Sequence, residues 1–116
     1  MKQSVKITLV IVSFFVLIGL SALLIKTQPK KVLYTSLGCP HCENVDKFVD
    51  DNQINHYVDF IELEVSQNQQ NSQMFNATAE RCGIEPDKRG VPMFYDGENC
   101  YLGDQDIISY FQDKKI

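Results

Sequence analysis

The sequence predicts an α/β domain of order β-α-β-α-β-β-α with a mixed sheet, preceded by one N-terminal transmembrane helix. Three observations carry this. An uncharged run of 19 residues, Ile7 to Ile25, stands near the start of the chain. Beyond it, short β-branched or aromatic stretches alternate with stretches whose apolar residues fall at helical spacing. Near the end, VPMFYD and CYLGD flank the turn sequence GEN, the pattern of an antiparallel hairpin.

The first element is the apolar run. At about 1.5 Å per residue it makes a helix of roughly 28 Å, close to the hydrocarbon thickness of a bilayer. Gly19 and Ser21 offer small residues for cleavage. The run nevertheless continues through Leu23, Leu24 and Ile25, past the roughly 7–15 residues of a signal peptide's apolar region. A retained anchor is therefore favoured over a cleaved leader. It is also favoured over a buried core helix, since no polar face interrupts the run. Residues 1–6 are then a short tail, 7–25 a signal anchor, 26–31 a linker and 32–116 the folded domain. Lys2 and Lys6 precede the run, and Lys26, Lys30 and Lys31 follow it, so the lysine balance decides little about orientation. The short tail before the run resembles a signal anchor, which places the domain outside the cytosol.

VLYTS (32–36) is a first strand. Pro40 suits the first turn of a helix, and Val45, Phe48 and Val49 continue it at helical spacing. HYVDFIELEV (56–65) alternates and reads as a second strand. Ser66 with Gln69 has the form of a capping box, opening a polar helix over 67–81 with Met74, Phe75, Ala77 and Ala79 as its apolar positions. Residues 82–90 read as loop, 91–96 and 100–104 as the hairpin. Asp104 caps a last helix that carries Ile107, Ile108, Tyr110 and Phe111 on its apolar side. A right-handed βαβ unit is thus followed by a helix and a hairpin, with helices on both faces of the sheet.

Beyond the two N-terminal lysines the chain carries nine Lys and Arg against fifteen Asp and Glu, near −6. No basic face is available to neutralise phosphates, so nucleic acid is excluded as a partner. About 85 residues bury only a modest core, for which a covalent staple is useful.

The chemistry centres on Cys39-Pro40-His41-Cys42. Two cysteines at this spacing serve as a redox pair, a zinc half-site or an inert disulfide. Their place between a strand and a helix start favours redox chemistry. Cys39 lies at the helix N-terminus, where unpaired N–H groups and the helix dipole stabilise a thiolate. Such surroundings lower a cysteine pKa from about 8.5 into the range of roughly 3.5–7.5, and the thiolate is the attacking species in disulfide exchange. Cys42, one turn on, is placed to resolve a mixed disulfide. His41, when protonated, adds a positive charge near the thiolate and with Pro40 tunes the potential. Zinc would need two more ligands. Cys82 and Cys100 are 18 positions apart and form no second knuckle, so no metal is expected.

CPHC after a first strand, with GVP about 50 residues later, resembles the thioredoxin superfamily. Within it, KVLYTSLGCPHC, GVPMFYDG and YLGDQDIISYF together look most like small glutaredoxin-like domains, over nearly all of residues 31–112. The resemblance implies a cis bond at Val91-Pro92 beside the cysteines, and a substrate groove shaped by Gly90, Val91 and Pro92. It implies a thiol–disulfide oxidoreductase acting on cysteine-containing proteins, recharged by a further redox partner. Pro-His between the cysteines is similar to the pair of periplasmic thiol oxidases in the superfamily. Two departures stand out. Thioredoxins carry a buried acid six residues before the first cysteine, where this chain has Leu33, so proton transfer at Cys42 needs another group, Glu62 or Glu64. Glutaredoxins usually show a double glycine before the last helix, where this chain has LGDQD. That departure falls at Gly103 and Asp104, where glutathione would bind, and no cofactor beyond the redox disulfide is expected. Lys88 and Arg89 stand near Pro92 and read first as an exposed charged loop, second as an attractor for a thiolate or a glutathione carboxylate.

Cys82 ends the third helical stretch and Cys100 begins the last strand, so in this topology they can meet. A structural disulfide is favoured over a second redox pair and fits an oxidising compartment. His56 reads as a surface residue. Asn76-Ala77-Thr78 matches a glycosylation pattern but falls within a helix and reads as chance. Two other classes remain: a thiol metal-binding or metallochaperone module using Cys39, Cys42 and His41, and a passive interaction domain.

Overall fold

The computed structural model describes residues 2–23 and 31–115. A first helix, α1 (Lys2–Leu23), is followed by β1 (Val32–Thr35), α2 (Pro40–Asp51), β2 (Ile61–Glu64), α3 (Gln69–Arg81), β3 (Met93–Tyr95), β4 (Cys100–Leu102) and α4 (Asp104–Lys114). Single 3₁₀ turns sit at Ile54–His56 and Pro86–Lys88.

Helix α1 begins at Lys2, inside the stretch expected to be a tail. Over Lys2–Leu20 its mean hydropathy is 2.1, which by length and composition suffices to cross a membrane. The expected end of the anchor and nearly all of the 26–31 linker fall on residues 24–30, outside the described residues.

The sheet has the order β2-β1-β3-β4. β1 runs parallel to β2, with Leu33 opposite Glu62, and antiparallel to β3, with Leu33 opposite Phe94. β3 pairs antiparallel with β4, with Phe94 opposite Tyr101. Alternation along β1 divides the core. Leu33 points to one face with Phe94, where Val45 and Val49 of α2 and Ile107 and Phe111 of α4 cover it. Val32 and Tyr34 point to the other face with Met93, covered by Phe75 and Ala79 of α3. The mixed sheet with helices on both faces is the architecture the sequence predicts.

Four local expectations are corrected. The second strand is Ile61–Glu64, not 56–65. Gln53 takes a left-handed conformation (φ 51°) and starts a tight turn, which buries Ile54 and, four residues on, Val58. That is helical rather than strand spacing, and His56 ends up exposed in the turn. The cap of α3 is Asn68, whose side-chain oxygen accepts the Asn71 N–H at 3.0 Å. The Ser66 hydroxyl instead donates to Glu64, because a carboxylate is the stronger acceptor. On α3 the buried stripe is Phe75, Thr78 and Ala79, while Met74 and Ala77 face solvent. Thr78 is tolerated inside because its hydroxyl meets Tyr34 Oη at 2.8 Å. Finally, Gly103 (φ 85°) occupies the cap position of α4, and Asp104 is its first helical residue.

Candidate active site

The loop after β1 delivers Cys39 to the start of α2. Cys39 is the N-cap residue, in extended conformation, and its Sγ accepts the Cys42 N–H at 3.1 Å. Pro40 follows at the first helical position, where its missing N–H costs nothing. Cys39 and Cys42 form a disulfide, with Cα atoms 5.2 Å apart. Their exposure differs: Cys39 is half-buried, whereas Cys42 is 2% exposed, on the buried side of α2 with Val45 and Val49.

A second loop closes on the pair. The Val91–Pro92 bond is cis, and the Val91 carbonyl oxygen lies 3.9 Å from Cys39 Sγ. Pro92 is buried, Val91 half-buried and Gly90 exposed. The Pro92 carbonyl accepts the Gly103 N–H at 3.0 Å, tying this loop to the start of α4.

His41 is exposed and its Nδ1 donates to Asp104 Oδ2 at 3.1 Å. The same oxygen accepts from Asn44 Nδ2 at 2.8 Å. These bonds, Asn44 first and His41 second, hold the Asp104 carboxyl below its ordinary pKa. Asp104, read in the sequence as a helix cap and a glutathione contact, thus joins α4 to the active-site turn.

Glu62 and Glu64 are not equivalent. Glu64 Oε1 accepts the N–H groups of Leu37 (3.3 Å) and Ser66 (2.7 Å), and Oε2 that of Gln67 (2.9 Å). The Ser66 hydroxyl bond and these amides pull the Glu64 carboxyl down to about 2. It is a latch that holds the loop before Cys39 against the end of β2. Glu62 accepts from Thr35 Oγ1 at 3.1 Å and faces Asp46 of α2. Asp46 does not stand out in the sequence, where it is one acid among several on a polar helix. The available signal was its spacing, four residues after Cys42. Burial, then the charge of Glu62, raises the Asp46 carboxyl to about 6.

Other singled-out residues stand apart from the site. Cys82 and Cys100 form a disulfide, with Cα atoms 6.0 Å apart, between the end of α3 and β4. Cys100 pairs with Tyr95, at the end of β3 away from Pro92. Arg89 is engaged structurally: Nε donates to the Ile84 carbonyl at 3.0 Å and a terminal nitrogen to Asn76 Oδ1 at 3.3 Å. Lys88 is exposed at the end of its turn, and Asn76 lies within α3. Among the described residues, no group of three or more His, Cys, Asp or Glu is arranged to hold a metal ion.

The domain has the glutaredoxin-like form of the thioredoxin fold, with an oxidised CxxC pair at the head of α2. Wheat glutaredoxin is similar at a TM-score of 0.54 and 22% identity, over 76% of this chain and 74% of that one. A buckwheat glutaredoxin–glutathione complex is similar at 0.53 and 20%, over 75% and 72%. Oxidised glutaredoxin 2 of Chlamydomonas reinhardtii is similar at 0.50 and 17%, over 75% of each chain. No family model and no curated protein matches the chain.

Proposed function

We propose that the chain is a membrane-anchored thiol–disulfide oxidoreductase that exchanges disulfides with cysteine-containing proteins through Cys39 and Cys42. The observation that carries this is the asymmetry of the pair. Cys39 sits half-exposed on a helix N-terminus beside the Val91 carbonyl, and Cys42 is buried one turn on. A substrate thiolate attacks Cys39 Sγ, and Cys42 leaves as thiolate. In the reverse sense Cys42 attacks the mixed disulfide at Cys39, and the substrate leaves. Gly90, Val91 and Pro92 line the approach, and Pro40 and His41 set the potential. The reading needs no metal and no cofactor besides the disulfide. Asp104 Oδ2 is engaged by His41 and Asn44, which supports a protein thiol over glutathione as the partner.

The apolar helix α1 supports a single-pass anchor, and the Cys82–Cys100 bond supports an oxidising compartment for the domain. A second, unidentified redox partner recharges the pair.

A Cys42→Ser variant tests the reading directly. It is expected to accumulate covalent adducts with client proteins through Cys39, released by reductant. A folded variant that traps no protein in its native membrane overturns catalysis on protein substrates. The direction follows from the potential of the Cys39–Cys42 couple: near about −120 mV it oxidises, near about −270 mV it reduces.

A further inference from the structure

A cleft of ≈ 380 Å³ runs between the start of α2 and the end of β2, and its lining includes Cys42, Asp46 and Glu62. Cys42 has no acid beneath it on β1, where Leu33 is fully buried in the core. Opening the Cys39–Cys42 bond therefore creates a thiolate on a residue that is 2% exposed, and a charge so placed is unfavourable unless it is neutralised. The cleft supplies the means. Asp46 lies one helical turn beyond Cys42 on α2, and Glu62 of β2 lines the same cleft, so the two carboxyls stand close enough for the charge of one to act on the other. Two carboxyls so placed disfavour joint ionisation, which favours the state in which one of them holds a proton.

The charged side chains around this pair are all acids. Asp50 and Glu43 flank Asp46 on α2, and Glu64 stands beyond Glu62 on β2. The lining of this cleft and of the adjoining one of ≈ 410 Å³ includes no Lys, Arg or His. Nothing in the walls favours ionisation of Asp46, so its carboxyl keeps a proton into the weakly acidic range. The Thr35 hydroxyl fixes Glu62 at 3.1 Å from the other side. At ≈ 380 Å³ the cleft is large enough to admit water beside these side chains.

We propose that Asp46 and Glu62 together hold the proton that Cys42 gains and loses in each exchange. The inference rests on the oxidoreductase reading and deepens it. When a substrate thiolate attacks Cys39 Sγ, a sulfur–sulfur bond forms there and the bond to Cys42 breaks. The leaving Cys42 thiolate takes the shared proton, leaving a thiol and two carboxylates. In the reverse step Cys42 returns its proton to the pair, and its thiolate attacks Cys39 Sγ and expels the substrate thiolate. The open cleft lets the pair equilibrate with solvent between turnovers.

The test uses the full chain in detergent micelles. The Cys39–Cys42 bond is reduced by dithiothreitol in single turnover between pH 5 and 8, and trapped thiols are located by peptide mapping. Wild type is compared with Asp46→Asn/Glu62→Gln and with Glu62→Gln alone, which keeps an oxygen for Thr35. The ratio of wild-type to variant rate cancels the reagent's own titration. It is expected to be on the order of a hundredfold at pH 5, where the pair has a proton to give. It should fall towards one as pH rises past about 6. Circular dichroism checks folding. If the double variant is unfolded, the single variant decides by the same ratio. A flat ratio near one with fast wild-type exchange overturns this inference alone. A wild-type bond that exchanges no faster than an unstructured cystine peptide overturns the oxidoreductase reading and this inference with it.

Discussion

Asp104 receives two side chains of α2 on one carboxylate oxygen. Its folded pKa is held below the ordinary value, by Asn44 first and His41 second. A depressed carboxylate contributes stability that is present above its unfolded pKa and lost as pH falls through the folded one. Asp104→Ala is therefore expected to flatten the acid limb of the stability–pH curve below pH ~4. It should also release His41 and shift the equilibrium of the Cys39–Cys42 couple with a glutathione buffer. Thermal melts from pH 2 to 7 and a redox titration check both. An unchanged acid limb would show that the three side chains are only neighbours. At this scale the sequence was partly legible. Cys39 and Cys42 stand out because two reactive side chains at fixed spacing need no third dimension to be recognised. Asp46 and the latch role of Glu64 do not stand out, since each depends on what another element brings opposite.

At the scale of elements, β3 places one ring at the centre of an aromatic cluster. Phe94 is fully buried and its ring meets those of Phe60, Tyr101, Tyr110 and Phe111 at centroid distances from 5.0 to 6.4 Å. Phe94→Ala removes the centre of that cluster and is expected to destabilise the domain by about 3–5 kcal/mol, measured by urea unfolding. A loss below about 1 kcal/mol would mean that the surrounding rings collapse into the space. The order of strands and helices was legible because periodicity marks an element along most of its length. The ends were not. Residues 56–60 read as strand by composition, yet left-handed Gln53 starts a tight turn over Ile54–His56 and the strand begins only at Ile61. Ser66 has the right spacing to cap α3, yet the nearby Glu64 captures its hydroxyl.

For the molecule as a whole, the small core is supplemented by the Cys82–Cys100 bond, with an 18-residue separation. In the chain-entropy account, closing such a loop stabilises by about 3 kcal/mol. Replacing both cysteines with serine is expected to lower Tm by roughly 12–24 °C, read by thermal denaturation. Exchange at Cys39 is expected to persist below the new transition. Loss of exchange in the still-folded variant would instead make the second pair part of the chemistry. The sheet topology was legible from the alternation of element types and the handedness of the crossover. The meeting of Cys82 and Cys100 was legible only once that topology was assumed.

The same bond has a consequence for a severed chain. It spans the segment that carries Pro86–Lys88 and Val91–Pro92. A single backbone cut at exposed Lys88 leaves two fragments that stay joined through sulfur. Brief trypsin treatment of the native protein is therefore expected to give one band on a non-reducing gel and two after reductant. A nicked molecule of this kind keeps both halves of the exchange site: Cys39 and Cys42 on the first fragment, and Pro92 on the second.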